Sequence, residues 1–134
     1  MPFLVYKSKP FARFARKARI ADADLWKTAW LANEGSIDAD LGGGVIKQRI
    51  ARAGEGKSGG SRSVILFKKD HRAVYVFGFE KKDVANIDRR ELEAFRDLAD
   101  LILGYSEAEM AKRVEDGALL RIGVPEGDED DQEI

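Results

Sequence analysis

Apolar positions along this chain follow a helical period, then a period of two, then a helical period again. Phe11, Phe14, Ala15 and Ala18 form one stripe at helical spacing, which predicts a helix from about Pro10 to Arg19. Ser8 can cap it, and Pro10 falls in the first turn, where its missing N–H costs little. Asp22 or Asp24 can cap a second helix running to about Asn33. Leu25, Ala29 and Ala32 supply one buried side, and Trp26 and Trp30 supply another, as core rather than as a stacking platform. Asn33-Glu34-Gly35 is a helix stop. The two helices are expected to form an αα-hairpin. The β-prone run Phe3–Tyr6 before them reads as an edge strand, and Asp38–Leu41 after them as a connector.

The period of two begins at Val45. Over 45–52, Ile46, Gln48 and Ile50 share one face of a strand, while Val45, Lys47, Arg49 and Ala51 share the other. Arg52 projects opposite to Arg49. A glycine-rich connection follows over 53–60, and then two strands, 61–69 and 72–80, around Asp70-His71. A two-residue loop sets Lys69 against Arg72, Leu66 against Tyr75, Val64 against Phe77 and Arg62 against Phe79. Arg62 then shares its face with Tyr75, Phe77 and Phe79. The continuous apolar run Ala73–Phe79 predicts a central strand.

Helical spacing returns at Ile87–Gly104, with Asp88 as cap and Leu92, Phe95, Leu98, Ala99 and Ile102 inward. Ser106-Glu-Ala-Glu109 is a capping box for a further helix, and Leu119–Val124 reads as a last strand. The fold class is α+β: a small antiparallel sheet with an N-terminal αα-hairpin and C-terminal helices. At 134 residues one domain is expected over 1–125. The stretch 126–134 holds six acidic residues and no basic one, and is expected to be a disordered tail.

Charge adds direction to this outline. Residues 1–72 hold 15 Lys/Arg against 7 Asp/Glu, a net of +8; the remaining 8 and 17 leave −9 for residues 73–134. A basic half points to a polyanionic partner. Without cysteine, a disulfide framework and a thiolate metal site are both excluded, and one histidine makes a zinc site poorly supported. No cofactor or metal is called for. The sequence carries no membrane-length apolar run and no secretory-signal pattern, so a cytoplasmic protein without a membrane partner is expected.

The candidate chemistry is cationic. Lys47 and Arg49, two apart on one strand face, can hold neighbouring phosphates. Arg62, fixed among aromatics, can present a directed fork. Lys57 rides on the glycine-rich connection, and Lys81 and Lys82 follow the last long strand near Arg62. Arg13 and Arg16, with Lys9, share one helix face and offer a nucleic-acid contact. Gly56-Lys57-Ser58 is not a P-loop, because position 51 is Ala where the motif needs glycine, and a strand rather than a helix follows. Asp38 and Asp40 are assigned to loop or capping duty. His71 is assigned to turn chemistry, at the far end of the hairpin from Arg62.

The order of elements, with Leu41-Gly-Gly-Gly-Val45, Gly56-Lys-Ser-Gly-Gly60, Ser61-Arg-Ser-Val64 and Val76-Phe-Gly-Phe-Glu-Lys-Lys82, resembles the RelE/HigB-like toxins of bacterial toxin–antitoxin systems. The resemblance spans about residues 3–124 and is specific over 41–87. It implies a compact RelE-like fold and ribosome-dependent, metal-independent endoribonuclease cleavage of mRNA that inhibits translation. It also implies inhibition by a cognate antitoxin, often of helix-turn-helix type. By position it implies catalytic roles for Arg62, Arg49, Lys47 and Lys57, and a basic contact at Lys81; the charge pattern of the chain adds Arg13, Arg16, Arg52 and Lys82 as RNA contacts, and Tyr75 is the nearest substitute for the family's tyrosine. The sequence departs from better-known members in having no histidine placed for acid–base work and no tyrosine near its C-terminus in the catalytic position. A related sheet that binds nucleic acid or an antitoxin without cleaving, and a gyrase poison of the ParE branch, are the alternative readings.

Overall fold

The computed structural model describes residues 2–50, 60–82 and 87–125. In chain order these form β1 (Leu4–Ser8), α1 (Lys9–Lys17), α2 (Asp22–Asn33), β2 (Ala39–Gly42), β3 (Val45–Arg49), β4 (Ser61–Lys68), β5 (Arg72–Glu80), α3 (Arg89–Leu103), α4 (Glu107–Glu115) and β6 (Leu119–Ile122). The strands make one sheet in the order β2-β3-β4-β5-β1-β6. The fold is α+β. Every neighbouring pair is antiparallel except β1 with β5, which is parallel. No helix among the described residues is long and apolar enough to cross a membrane.

Two expectations are corrected at the sheet margins. The first strand is not an edge: β5 pairs one side of β1 and β6 the other. Val5 and Tyr6 are buried in opposite layers, so both faces of β1 are packed as well as both backbone edges. The stretch expected as a connector, Asp38–Leu41, instead contributes most of β2. Gly43 and Gly44, at φ 64° and 84°, make the tight turn from β2 into β3. Arg96 of α3 lies against that turn, its Nη2 donating to the Leu41 carbonyl. A side chain at Gly43 would meet Arg96 Cγ at 2.9 Å.

The sheet separates two apolar layers. α1 packs along β5, and α2 across β3 and β6. Both helices join a cluster with Phe11, Leu25, Trp26, Ile46, Ile65 and Tyr75. The Ser8 hydroxyl accepts from the Phe11 amide and caps α1. The cap position of α2 is Ala21, leaving Asp22 and Asp24 in the first turn, where negative charge suits the helix dipole. Trp26 and Trp30 stack at 5.4 Å within this layer. α3 and α4 cover the other face, over Val45, Val64, Leu66, Val74 and Phe79. Both carry complete capping boxes, at Asp88 and Ser106.

The β4–β5 hairpin combines two irregularities. Lys68, not Lys69, opposes Arg72, so the turn has three residues, with Asp70 at φ 65°. Asn33 of α2 holds this turn by accepting from the Asp70 amide at 2.7 Å. The resulting one-residue offset is absorbed where the register shifts between Val64 and Ile65. Beyond the bulge, Val64 faces Phe77 and Arg62 faces Phe79, as expected; before it, Ile65 rather than Leu66 faces Tyr75.

Candidate functional site

On the α3/α4 face, burial falls off along β3. Val45 is buried, Lys47 half-buried and Arg49 exposed. Arg62 on β4 lies directly opposite Arg49, and Phe79 on β5 directly opposite Arg62. Lys47, Arg49 and Arg62, with Asp38 and Ala39, line a cleft of about 310 Å³. Three of the four cations expected to carry chemistry are therefore in one place. The fourth, Lys57, lies outside the described residues, as does Arg52.

A carboxylate is part of this cleft. Asp38 Oδ2 accepts from the Arg49 amide at 2.7 Å, and Oδ1 accepts from Arg49 Nη2 at 3.2 Å. The Asp38 side chain is only 17% exposed, against 45% for Arg49. The segment that carries it is fastened from behind the sheet. Gln48 alternates with Lys47 and Arg49, so its side chain leaves on the opposite face, where it is buried. Its Oε1 accepts from the Asp38 amide at 2.6 Å, and its Nε2 donates to the Ser36 carbonyl at 3.0 Å. The Ser63 hydroxyl donates to the Gln48 carbonyl at 3.0 Å and ties the same point to β4. Gln48 thus sets Asp38, and Asp38 sets the Arg49 guanidinium.

The carboxylate offsets part of the repulsion between adjacent arginines. Among the described residues lining the cleft, three cations stand with one carboxylate, a cationic set of the kind that suits a phosphodiester. Arg62 Nη1 also donates to its neighbour's carbonyl, Ser61 O, at 3.2 Å. The Ser61 hydroxyl donates to the Glu80 carboxylate at 3.1 Å, closing the mouth of the β4–β5 pair.

The other expected contact residues lie elsewhere. Lys81 and Lys82 are exposed and border a separate recess with Gly60 and Glu80, where the Lys81 amide donates to Gly60 O. Arg13 and Arg16 are exposed on α1, whose buried residues join the layer behind the sheet. Tyr75 does not share the Arg62 face. The bulge turns it into the α1/α2 layer, where it is wholly buried, 4.8 Å from the Phe11 ring, with its hydroxyl donating to Leu25 O at 2.6 Å. Burial pushes its phenol well above the ordinary tyrosine value. It cannot meet RNA in this fold. His71 sits in the β4–β5 turn, at the opposite end of the hairpin from Arg62.

Asp38 is the member of the cleft that pattern reading passed over. Its signal was the triple glycine. A two-residue turn at Gly43-Gly44 by itself pairs Asp40 with Lys47; the register shift between Asp40 and Gly42 pairs Ala39 with Lys47 instead and brings Asp38 beside Gln48 and Arg49.

A family model described as the RelE toxin of the RelE / RelB toxin-antitoxin system matches residues 3–122. No curated protein matches the chain.

Proposed function

Because this chain belongs to the RelE toxin family, we propose that its cation cleft cleaves mRNA on the ribosome and so arrests translation. The observation that carries this reading is the convergence of Lys47, Arg49 and Arg62 on one cleft formed by β3 and β4. Arg49 and Arg62 hold the scissile phosphate and the charge that develops on it. The reaction is attack by the adjacent 2′-hydroxyl, which yields a cyclic phosphate and a free 5′-hydroxyl. Positioning and charge stabilisation supply most of the acceleration, without a cofactor. Lys47, and Lys57 from the glycine-rich connection, serve proton transfer to the departing oxygen.

The exposed basic side of α1, with Lys9, Arg13, Arg16 and Lys17, is suited to ribosomal RNA. Lys81 and Lys82 extend positive charge from the recess beside Gly60 along the path of the message. The family membership implies an antitoxin partner; a helix-turn-helix protein encoded beside this chain is the form proposed. The site of action is the cytoplasm.

The test is brief expression of the wild-type chain and of Arg62→Ala, with transcript ends mapped. Wild type should arrest growth and cut messages in their translated regions. Arg62→Ala should lose 10²–10³ in cleavage rate, by analogy with removal of one charge-stabilising donor. Undiminished arrest by Arg62→Ala would refute the assignment. DNA-damage signalling without cut transcripts would place the chain with gyrase poisons instead.

A further inference from the structure

We infer that Gln48 is a positioning residue for the reaction: from behind the sheet it sets the place of the Arg49 guanidinium in the cleft. The inference rests on the endoribonuclease reading above. Gln48 stands between two cleft cations in β3, yet its side chain leaves on the other face and is 1% exposed. Ile46 and Ile50, two residues away on either side, both belong to the apolar layer there. A primary amide in such a layer is costly unless both of its ends find partners.

Both ends are used on one segment. Ser36–Asp38 lies between α2 and β2, outside the strand ladder. The Ser36 amide turns back to Leu31 O at 2.9 Å, and the Ile37 amide to Gly35 O at 3.1 Å. The Ser36 carbonyl and the Asp38 amide flank Ile37, and Gln48 takes both, with Nε2 donating to the first at 3.0 Å and Oε1 accepting from the second at 2.6 Å. A strand residue exchanges the same two kinds of bond with its partner, so the Gln48 side chain serves the segment as a one-residue ladder.

The consequence appears on the front face. With its backbone held there, Asp38 meets the Arg49 amide through Oδ2 at 2.7 Å and the Arg49 guanidinium through Oδ1 at 3.2 Å. The Arg49 side chain is nearly half exposed, and a long side chain at that exposure spreads over many rotamers unless a partner holds it. Gln48 acts on where Asp38 stands, not on how many partners its carboxylate takes. The Ser63 hydroxyl, next in β4 to Arg62, donates to the Gln48 carbonyl at 3.0 Å. The strand that carries Arg62 is thus bonded to the residue that sets Arg49. Two arginines that must meet one phosphate are referenced to a single buried point.

A double-mutant cycle tests this, read as single-turnover cleavage of ribosome-bound mRNA per folded molecule. Gln48→Met removes both side-chain bonds at nearly constant volume. Its rate should fall about 10–10²-fold, since misplacing a group by about 1 Å costs up to about 10². Arg49→Ala should fall about 10²–10³-fold. The double variant should stay within about threefold of Arg49→Ala alone, because Gln48 acts through Arg49. Losses that multiply would overturn the inference and leave Gln48 a support of the fold, as would undiminished cleavage by Gln48→Met. Ile65→Val thins the same layer without touching a hydrogen bond and should cleave at the wild-type rate. A matching fall there would also overturn the inference, by showing that any disturbance of the layer has this effect. In the wild-type protein the Asp38 amide should exchange its hydrogen as slowly as the β3 amides bonded to β4. Exchange near the rate of an unstructured peptide would overturn the inference with no variant needed. Wild-type protein that cuts no RNA, with the Asp38 amide still protected, would instead remove the endoribonuclease reading, and the inference with it.

Discussion

The two faces of the sheet carry side chains from the same strands and meet opposite fates. Behind the sheet, α1 and α2 cover Ile46, Gln48, Ile65 and Tyr75, and even the polar members are buried with hydrogen bonds. In front, α3 crosses the end of the sheet at the glycine turn, where Arg96 reaches Leu41 O and Arg72 Nη1 donates to Ile102 O at 2.9 Å. At the other end of β3 and β4, Lys47, Arg49 and Arg62 line the cleft. A strand supplies both faces at once, because successive side chains alternate. Three neighbours in β3, Lys47, Gln48 and Arg49, are thus cleft, core and cleft. The lesson is that the rear layer positions the front one: Gln48 is the buried fixture on which the Asp38–Arg49 contact depends.

This contrast can be tested by removing charge in front and shape behind. The largest effect is expected from changing Lys47, Arg49 and Arg62 together to Ala. Arrest should vanish, with cleavage reduced beyond the 10²–10³ of one donor, although not by the product of three single losses. Stability should move by no more than about 1 kcal/mol per residue, because partly exposed charges contribute little to folding. Urea unfolding beside a cleavage assay checks both halves. Unfolding of the triple variant at the outset would erase the distinction between the faces.

Behind the sheet the order reverses. A Cβ built at Gly78 would overlap the Phe14 ring, so α1 can sit on β5 only because that position has no side chain. Gly78→Val should cost about 1–3 kcal/mol, the usual penalty of overpacking, and reduce activity only as far as it unfolds the protein. Thermal unfolding reports this, and a Gly78→Val chain as stable as wild type would show that α1 is free to shift.

Tyr75→Phe should cost about 1 kcal/mol for the lost bond to Leu25 O. Burial raises the Tyr75 pKa, so the neutral phenol favours the fold. That contribution is complete below the ordinary value of about 10 and is lost as pH rises above it. Wild type should therefore lose stability above about pH 10 more steeply than Tyr75→Phe, as chemical denaturation at stepped pH would record. Equal slopes would mean that the phenol is not sealed.

The smallest effect is expected from Arg13→Ala with Arg16→Ala. Exposed cations on a helix that packs behind the sheet should change ribosome affinity several-fold at low salt and little at high salt, with single-turnover cleavage unchanged once bound. A loss of the chemical step itself would place α1 closer to the reacting phosphate than its position behind the sheet allows.

Much of this architecture is legible in the chain. Helical stripes with their caps at Ser8, Asp88 and Ser106 are local signals, because the capping groups lie within three residues of the amides they serve. Alternation alone separated Lys47 and Arg49 from Gln48. The hairpin was harder. One residue more in the turn, held by Asn33 from α2, was cancelled by a bulge four residues on, so the Arg62–Phe79 pair came out as expected while Tyr75 changed face. No local pattern specifies such a compensation, since the turn is held by Asn33, a contact from another part of the chain.

The sequence by itself determined the α+β class, the cationic strands and the face that Lys47 and Arg49 share. These follow from spacing, propensity and the fixed period of a strand. Only the tertiary structure decided that β1 is enclosed, that Tyr75 is core and that Asp38 belongs to the cleft. Each of those depends on pairing between segments distant in the chain: β6 against β1, the bulged β5 against β4, and β2 against β3. Register between separate strands is set by which faces find partners to bury against, and that is a property of the whole packed molecule.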